Sequence, residues 1–180
     1  MARPRLAVAF LLAALASLAA LAPAASPATG SRQTTSLSVD LGVLDQLNQI
    51  RMAHGVAQLR LSSSLTAAAT AHSRDMLAKG YFAHDSADGQ PFWKRILAYY
   101  PAGRFGYWSV GENLFWTSGP GTAAAGVRAW MASPEHRSNI LDPAWRQIGI
   151  AAVSSTDAPG TFDHRAVTVI TTDFGVRRER

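Results

Sequence analysis

Cysteine is absent from all 180 residues, which excludes disulfides, thiolate catalysis and iron–sulfur ligation together. Locally spaced catalytic signatures are missing as well. There is no H-E-x-x-H, no G-x-S-x-G, no P-loop and no Rossmann glycine pattern. Charged residues make up only 16% of the chain, and no Lys/Arg cluster interleaved with aromatics occurs before Arg177-Arg178-Glu179-Arg180, so no nucleic-acid partner is expected. What the chain does have is five Trp, seven Phe and four Tyr, large apolar side chains that an unbridged core requires.

The amino terminus is organised for export. Arg3 and Arg5 precede an apolar run from Leu6 to Leu21 and the A-x-A sequence Ala22-Pro23-Ala24, which predicts a signal peptide over residues 1–24. The run falls short of the ~20 residues of a bilayer span and no aromatic or basic anchor follows it, so no stable membrane span is expected after cleavage. A secreted, extracellular protein follows. Loss of Arg3 and Arg5 lowers the formal net charge from +5 to +3. Residues 25–39 are rich in Ser, Thr, Pro and Gly without apolar periodicity and read as a flexible leader. One domain is expected over 40–176, with 177–180 as a short basic, solvated tail.

Within that domain, Leu41, Leu44, Leu47 and Ile50 recur at helical spacing, predicting a helix from Asp40 to His54 with Asp40 as its cap and Gly55 as its stop. A second helix starts near Ser62 to Ser64 and reaches Lys79, ended by Gly80. His72 lies on its apolar stripe, where a core histidine with one hydrogen-bond partner is the better reading. A third helix opens at Pro91, and Tyr107 to Leu114 reads as a short strand or turn. A fourth helix covers Thr122 to Met131, with Ala125, Ala129 and Trp130 inward. Alternating residues at Ile148 to Val153 and Ala166 to Phe174, separated by a stretch containing Pro159-Gly160, predict an antiparallel hairpin. Helices first and strands last favour an α+β or layered α/β/α domain over a βαβ repeat.

Three ionisable residues stand out as candidates for chemistry: His84 on a loop beside Tyr81-Phe82, Glu112 within Gly-Glu-Asn, and His136 at a helix start. Ser133 suits an N-cap, Pro134 the first helical position, and Glu135 the positive end of the dipole. His136 then sits in the first turn near unpaired N–H groups, where positive potential favours neutral imidazole. A well-capped helix with a solvated histidine explains the same residues. Two imidazoles and a carboxylate could hold a zinc with an open position or share protons in a hydrogen-bonded cluster.

Five ordered segments carry a resemblance: L-N-Q-I-R-M-A-H-G at 47–55, L-T-A-A-A-T-A-H-S-R-D-M at 65–76, Y-F-A-H-D-S-A-D-G at 81–89, G-E-N-L at 111–114 and W-M-A-S-P-E-H-R-S-N-I-L at 130–141. Together they resemble the CAP superfamily of cysteine-rich secretory, antigen 5 and pathogenesis-related 1 proteins, in its cysteine-free bacterial secreted branch. The resemblance implies a three-layer α/β/α sandwich around a central antiparallel sheet, with a cleft lined by two histidines and two acids that can bind a divalent metal. His84, Glu112 and His136 match three of those positions. The second acid of animal and plant members falls three residues after the helix tryptophan, where this chain has Ser133. Glu135 stands close by, either as a replacement ligand or for the helix dipole alone. The function expected is a cleft that binds a lipid, a cell-wall fragment or a protein partner, in a monomer, with zinc as an optional component. A metal-assisted hydrolase using His84, Glu112 and His136 is the alternative.

Overall fold

The sheet is built from strands whose two faces are both apolar, so it must be covered on both sides. In the computed structural model, which describes residues 32–179, the strands are β1 (Gln33–Thr35), β2 (Arg60–Leu61), β3 (Tyr107–Ser118), β4 (Gln147–Ala158) and β5 (Arg165–Arg178). The expected signal peptide and residues 25–31 of the expected leader lie outside the described residues. Strand order is β1-β4-β5-β3 with antiparallel neighbours, while two-residue β2 pairs parallel to β4. The helices are α1 (Leu37–Ala53), α2 (Ser63–Lys79), α3 (Phe92–Tyr99), α4 (Ala123–Ala132) and α5 (Pro134–Leu141). A 3-10 turn, Gly160–Phe162, lies in the β4–β5 connection.

Period-two alternation divides the core. Ile148, Ile150 and Ala152 of β4, with Ile170, Phe174 and Val176 of β5, pack against Val43 and Leu47 of α1, Trp130 of α4 and Ile140 of α5. Their neighbours Ala151, Val153, Val167 and Val169 point the other way, onto Ala69, Met76 and Leu77 of α2. Leu65 and Ala68 of α2 meet Ile96 and Tyr100 at the α3 end. The result is α2 and α3 on one face, the sheet between, and α1, α4 and α5 on the other. Contact between α2 and the sheet is close enough to require Gly149, because a Cβ there would stand 2.0 Å from the Leu65 carbonyl carbon. Among the described residues no helix is long and apolar enough to cross a membrane.

Both ends of the domain differ from the sequence expectation. Residues 33–39, read as leader, form β1 and the first turn of α1; Thr35 lies opposite Val153, and Ser36 N–H donates to the Ala152 carbonyl at 2.9 Å. A three-residue edge strand of Gln and Thr has too few positions to show periodicity, which is why it resembled a linker. Ser36, not Asp40, is the N-cap residue of α1, and Asp40 instead accepts the Ala152 N–H at 2.7 Å, tying the helix to the sheet. At the other end β5 continues to Arg178. Arg177, expected in a solvated tail, lies 3.8 Å from the Tyr100 ring centroid and donates to the Pro101 carbonyl at 3.1 Å. The segment 107–114, expected as a short strand or turn, is most of a 12-residue strand. Ala129, expected inward on α4, is exposed.

Candidate functional site

β3 is an edge strand, and its outer edge is where α5 docks. Asn139 of α5 donates to the Glu112 carbonyl at 3.2 Å and to Asn113 Oδ1 at 3.0 Å, while Asn113 donates to the His136 carbonyl at 3.1 Å. These bonds satisfy edge-strand groups that would otherwise be open. They also fix where the first turn of α5 presents its side chains. Gly111 allows the approach, since a Cβ there would lie 2.6 Å from Asn139 Oδ1.

The cleft left beside this contact, about 280 Å³, is lined by His84, Phe92, Gly111, Glu112, Asn113, Glu135, His136 and Asn139. All four residues singled out from sequence therefore reach one cleft. They do not form one cluster. His84 Nδ1 is 2.8 Å from Glu112 Oε1, whereas His136 Nδ1 is 2.8 Å from Ser133 Oγ and touches neither. Ser133 takes the N-cap position of α5 but makes no side-chain cap bond, its hydroxyl being used on the histidine ring. Among the described residues neither ring has a hydrogen-bond partner at Nε2, and the His84 side chain is half-exposed.

Beneath the cleft lies a charge network that sequence reading missed. Glu112 has its carboxylate fully buried, and Arg95 of α3 donates from Nη2 to Oε2 and from Nη1 to the His84 carbonyl at 2.8 Å. Directly opposite Glu112 in the β3–β5 register stands Asp173, 0% exposed, and among the described residues no N–H or hydroxyl donor reaches either carboxyl oxygen. Its neighbour is the Glu112 carboxyl, itself an acceptor, so only a proton held between the two satisfies both. Burial first, then the charge of Glu112, pushes Asp173 well above the usual carboxylate range. Burial likewise raises Glu112 to about 7, with Arg95 opposing it. One shared proton leaves one negative charge against one guanidinium.

The imidazoles are held neutral. Burial lowers His72 to about 3, with Arg95 adding to the effect, and its Nε2 lies 3.0 Å from the Ala83 carbonyl as expected for a core histidine. His84 is lowered by burial and then by Arg95. His136 is lowered by burial and then by His84, so the neutral ring expected from the helix terminus is present for a different main reason. Asp173 had one sequence signal, a carboxylate in the inward register of Val167, Val169 and Thr171. Arg95 had none beyond its place one residue before Ile96.

The donor set implied by the resemblance does not fit a divalent ion at Glu112. One of its oxygens faces His84 Nδ1 and the other carries a guanidinium, so each is already engaged and the negative field a cation needs is offset by the Arg95 charge. Among the described residues no three His, Asp or Glu side chains gather closely enough to hold a metal.

A family model described as the cysteine-rich secretory protein family, CAP, matches residues 44–171. The Bacillus subtilis protein YkwD is 33% identical over 138 residues, which is 72% of this chain and 51% of YkwD. An extracellular Bacillus anthracis protein containing an SCP domain superposes with a TM-score of 0.57 at 24% identity, covering 77% of this chain and 40% of that one. An outer surface protein of Borrelia burgdorferi gives a TM-score of 0.63 at 17% identity, covering 82% and 99%. This chain thus spans about half the length of YkwD.

Proposed function

The chain belongs to the CAP family of cysteine-rich secretory proteins, and we propose that within it the β3–α5 cleft is the binding site of an exported protein for a small, hydroxyl-rich ligand of the cell wall. The observation that carries this reading is the lining. Two neutral imidazoles whose Nε2 atoms have no hydrogen-bond partner among the described residues, the Glu135 carboxylate and one aromatic ring, Phe92, line it together. A sugar presents hydroxyl donors around its rim and C–H groups on its faces, which this mixture matches; an acyl chain would leave the polar groups unpaired. The volume, about 280 Å³, suits one ring-sized unit rather than a lipid tail. Export follows from the amino-terminal signal, and extracellular and surface placement is what the two structural relatives' names state of those proteins. A monomer suffices, because one chain supplies every lining residue.

Titration of the isotope-labelled protein with soluble wall glycan fragments, read by backbone amide and imidazole resonances, tests it. Shifts concentrated at His84, Phe92 and His136 are expected. Saturable shifts confined to another surface, or none at millimolar ligand, overturn it. The second reading is hydrolysis of the same ligand. It draws on the His84–Glu112 bond, which orients an imidazole in the manner of a general base. Release of shortened glycan by the wild type, lost in His84→Ala, would bring it forward.

A further inference from the structure

We infer that Arg95 is the resident cation beneath this cleft and determines its ligand class, keeping divalent metal off Glu112 so that the site meets its ligand without metal coordination. Three observations converge. The guanidinium holds Glu112 Oε2 with one nitrogen and the His84 carbonyl with another, so it cannot swing aside without releasing both the acid and the histidine loop. Its side chain is 9% exposed, and it is walled by His72, whose ring nitrogen is 4.0 Å from the same Glu112 oxygen. Finally, Asp173 lies fully buried against Glu112 and has no cation of its own, so Arg95 is the one positive side chain hydrogen-bonded to this acid pair among the described residues.

Buried carboxylates demand either a proton or a cation. Here the pair takes one of each. A zinc ion approaching Glu112 Oε2 would have to displace the guanidinium N–H that bonds it and then sit beside the guanidinium's positive charge, a cost of both contact and field. Removing Arg95 reverses the balance. Two carboxyls then lose their compensation, Oε2 is freed, and the neighbouring hollow lined by His72, Asp75 and Tyr99 loses the Arg95 side chain that also lines it. Metal affinity should therefore appear on deleting a residue that is itself no metal ligand.

The test is zinc titration at pH 7.5, using zinc alone against a chromophoric chelator, on the wild type, Arg95→Gln, Glu112→Gln and the Arg95→Gln/Glu112→Gln double variant. The wild type should take zinc no more tightly than Glu112→Gln does. Arg95→Gln should bind at least tenfold tighter, and the double variant should lose that gain. A folded Arg95→Gln with no gain, or a wild-type affinity that Glu112→Gln cuts tenfold, overturns the inference. Should the variants fail to fold, the wild type decides alone: an Arg95 Nε–H resonance unmoved by zinc upholds it, and its loss or displacement by stoichiometric zinc refutes it.

Discussion

Replacing Arg51 with methionine should loosen the helix that carries His136 while touching nothing in the cleft. Arg51 is 0% exposed, and its guanidinium donates only to backbone carbonyls: Ala57 at 2.8 Å, Ile140 at 2.6 Å, Asp142 at 3.1 Å and, at the limit, Trp145 at 3.5 Å. Two of those carbonyls belong to the carboxyl end of α5, where helix geometry leaves acceptors unpaired and the dipole is negative. Charge-assisted bonds of ~1.5–3 kcal/mol each would total well above the net effect, because methionine also relieves the cost of burying the cation. A net loss of about 3–5 kcal/mol is the resulting expectation, corresponding to roughly 6–20 °C in Tm for a domain of this size. Urea unfolding gives the magnitude. Hydrogen exchange gives the location, and amides of α5 should lose more protection than those of α2. A loss below about 1 kcal/mol with α5 protection intact would refute the reasoning.

Other perturbations follow from the same contacts. Trp130 is 1% exposed and donates to the Leu114 carbonyl at 2.9 Å, so Trp130→Phe should cost ~1–2 kcal/mol for the orphaned acceptor and Trp130→Ala ~3–5 kcal/mol; near-equal urea midpoints for the two would contradict the assignment. Asp40, raised to about 6 chiefly by burial, binds its proton more tightly folded than unfolded, so its contribution is full below pH ~4 and lost as pH rises toward 6. Asp40→Asn, which keeps the acceptor for Ala152, should match the wild type near pH 4 and exceed it by about 1–3 kcal/mol at pH 7; a wild type that gains on the variant with rising pH reverses the sign and disproves it. Gly149→Ala places a methyl against the Leu65 backbone and should cost about 3 kcal/mol or more, so an unchanged melting curve would mean α2 packs less closely than described.

Sequence periodicity located α2, α3 and α4 to within a residue or two because their apolar residues face one sheet, and it placed the β4–β5 hairpin for the complementary reason. It under-read β3 because Gly111-Glu112-Asn113 carries turn-forming residues for functions unrelated to turning: Gly111 lets Asn139 approach, and Asn113 fastens α5. The site was legible as four residues and illegible as a network. Arg95 and Asp173 come from separate elements and meet Glu112 only through α3 packing and strand register, neither of which sequence spacing records. Ser133 illustrates the limit of local rules, since the cap position was correctly read while its hydroxyl serves the His136 ring.

We propose that the cleft between β3 and α5 binds the ligand. Co-sedimentation of the protein with purified insoluble cell wall, comparing the wild type with a His84→Ala/His136→Ala variant that retains its circular dichroism spectrum, tests it most directly. Binding by the wild type and at least a tenfold loss in the double variant is the predicted result; equal retention of the two proteins, or no retention of either, would contradict it.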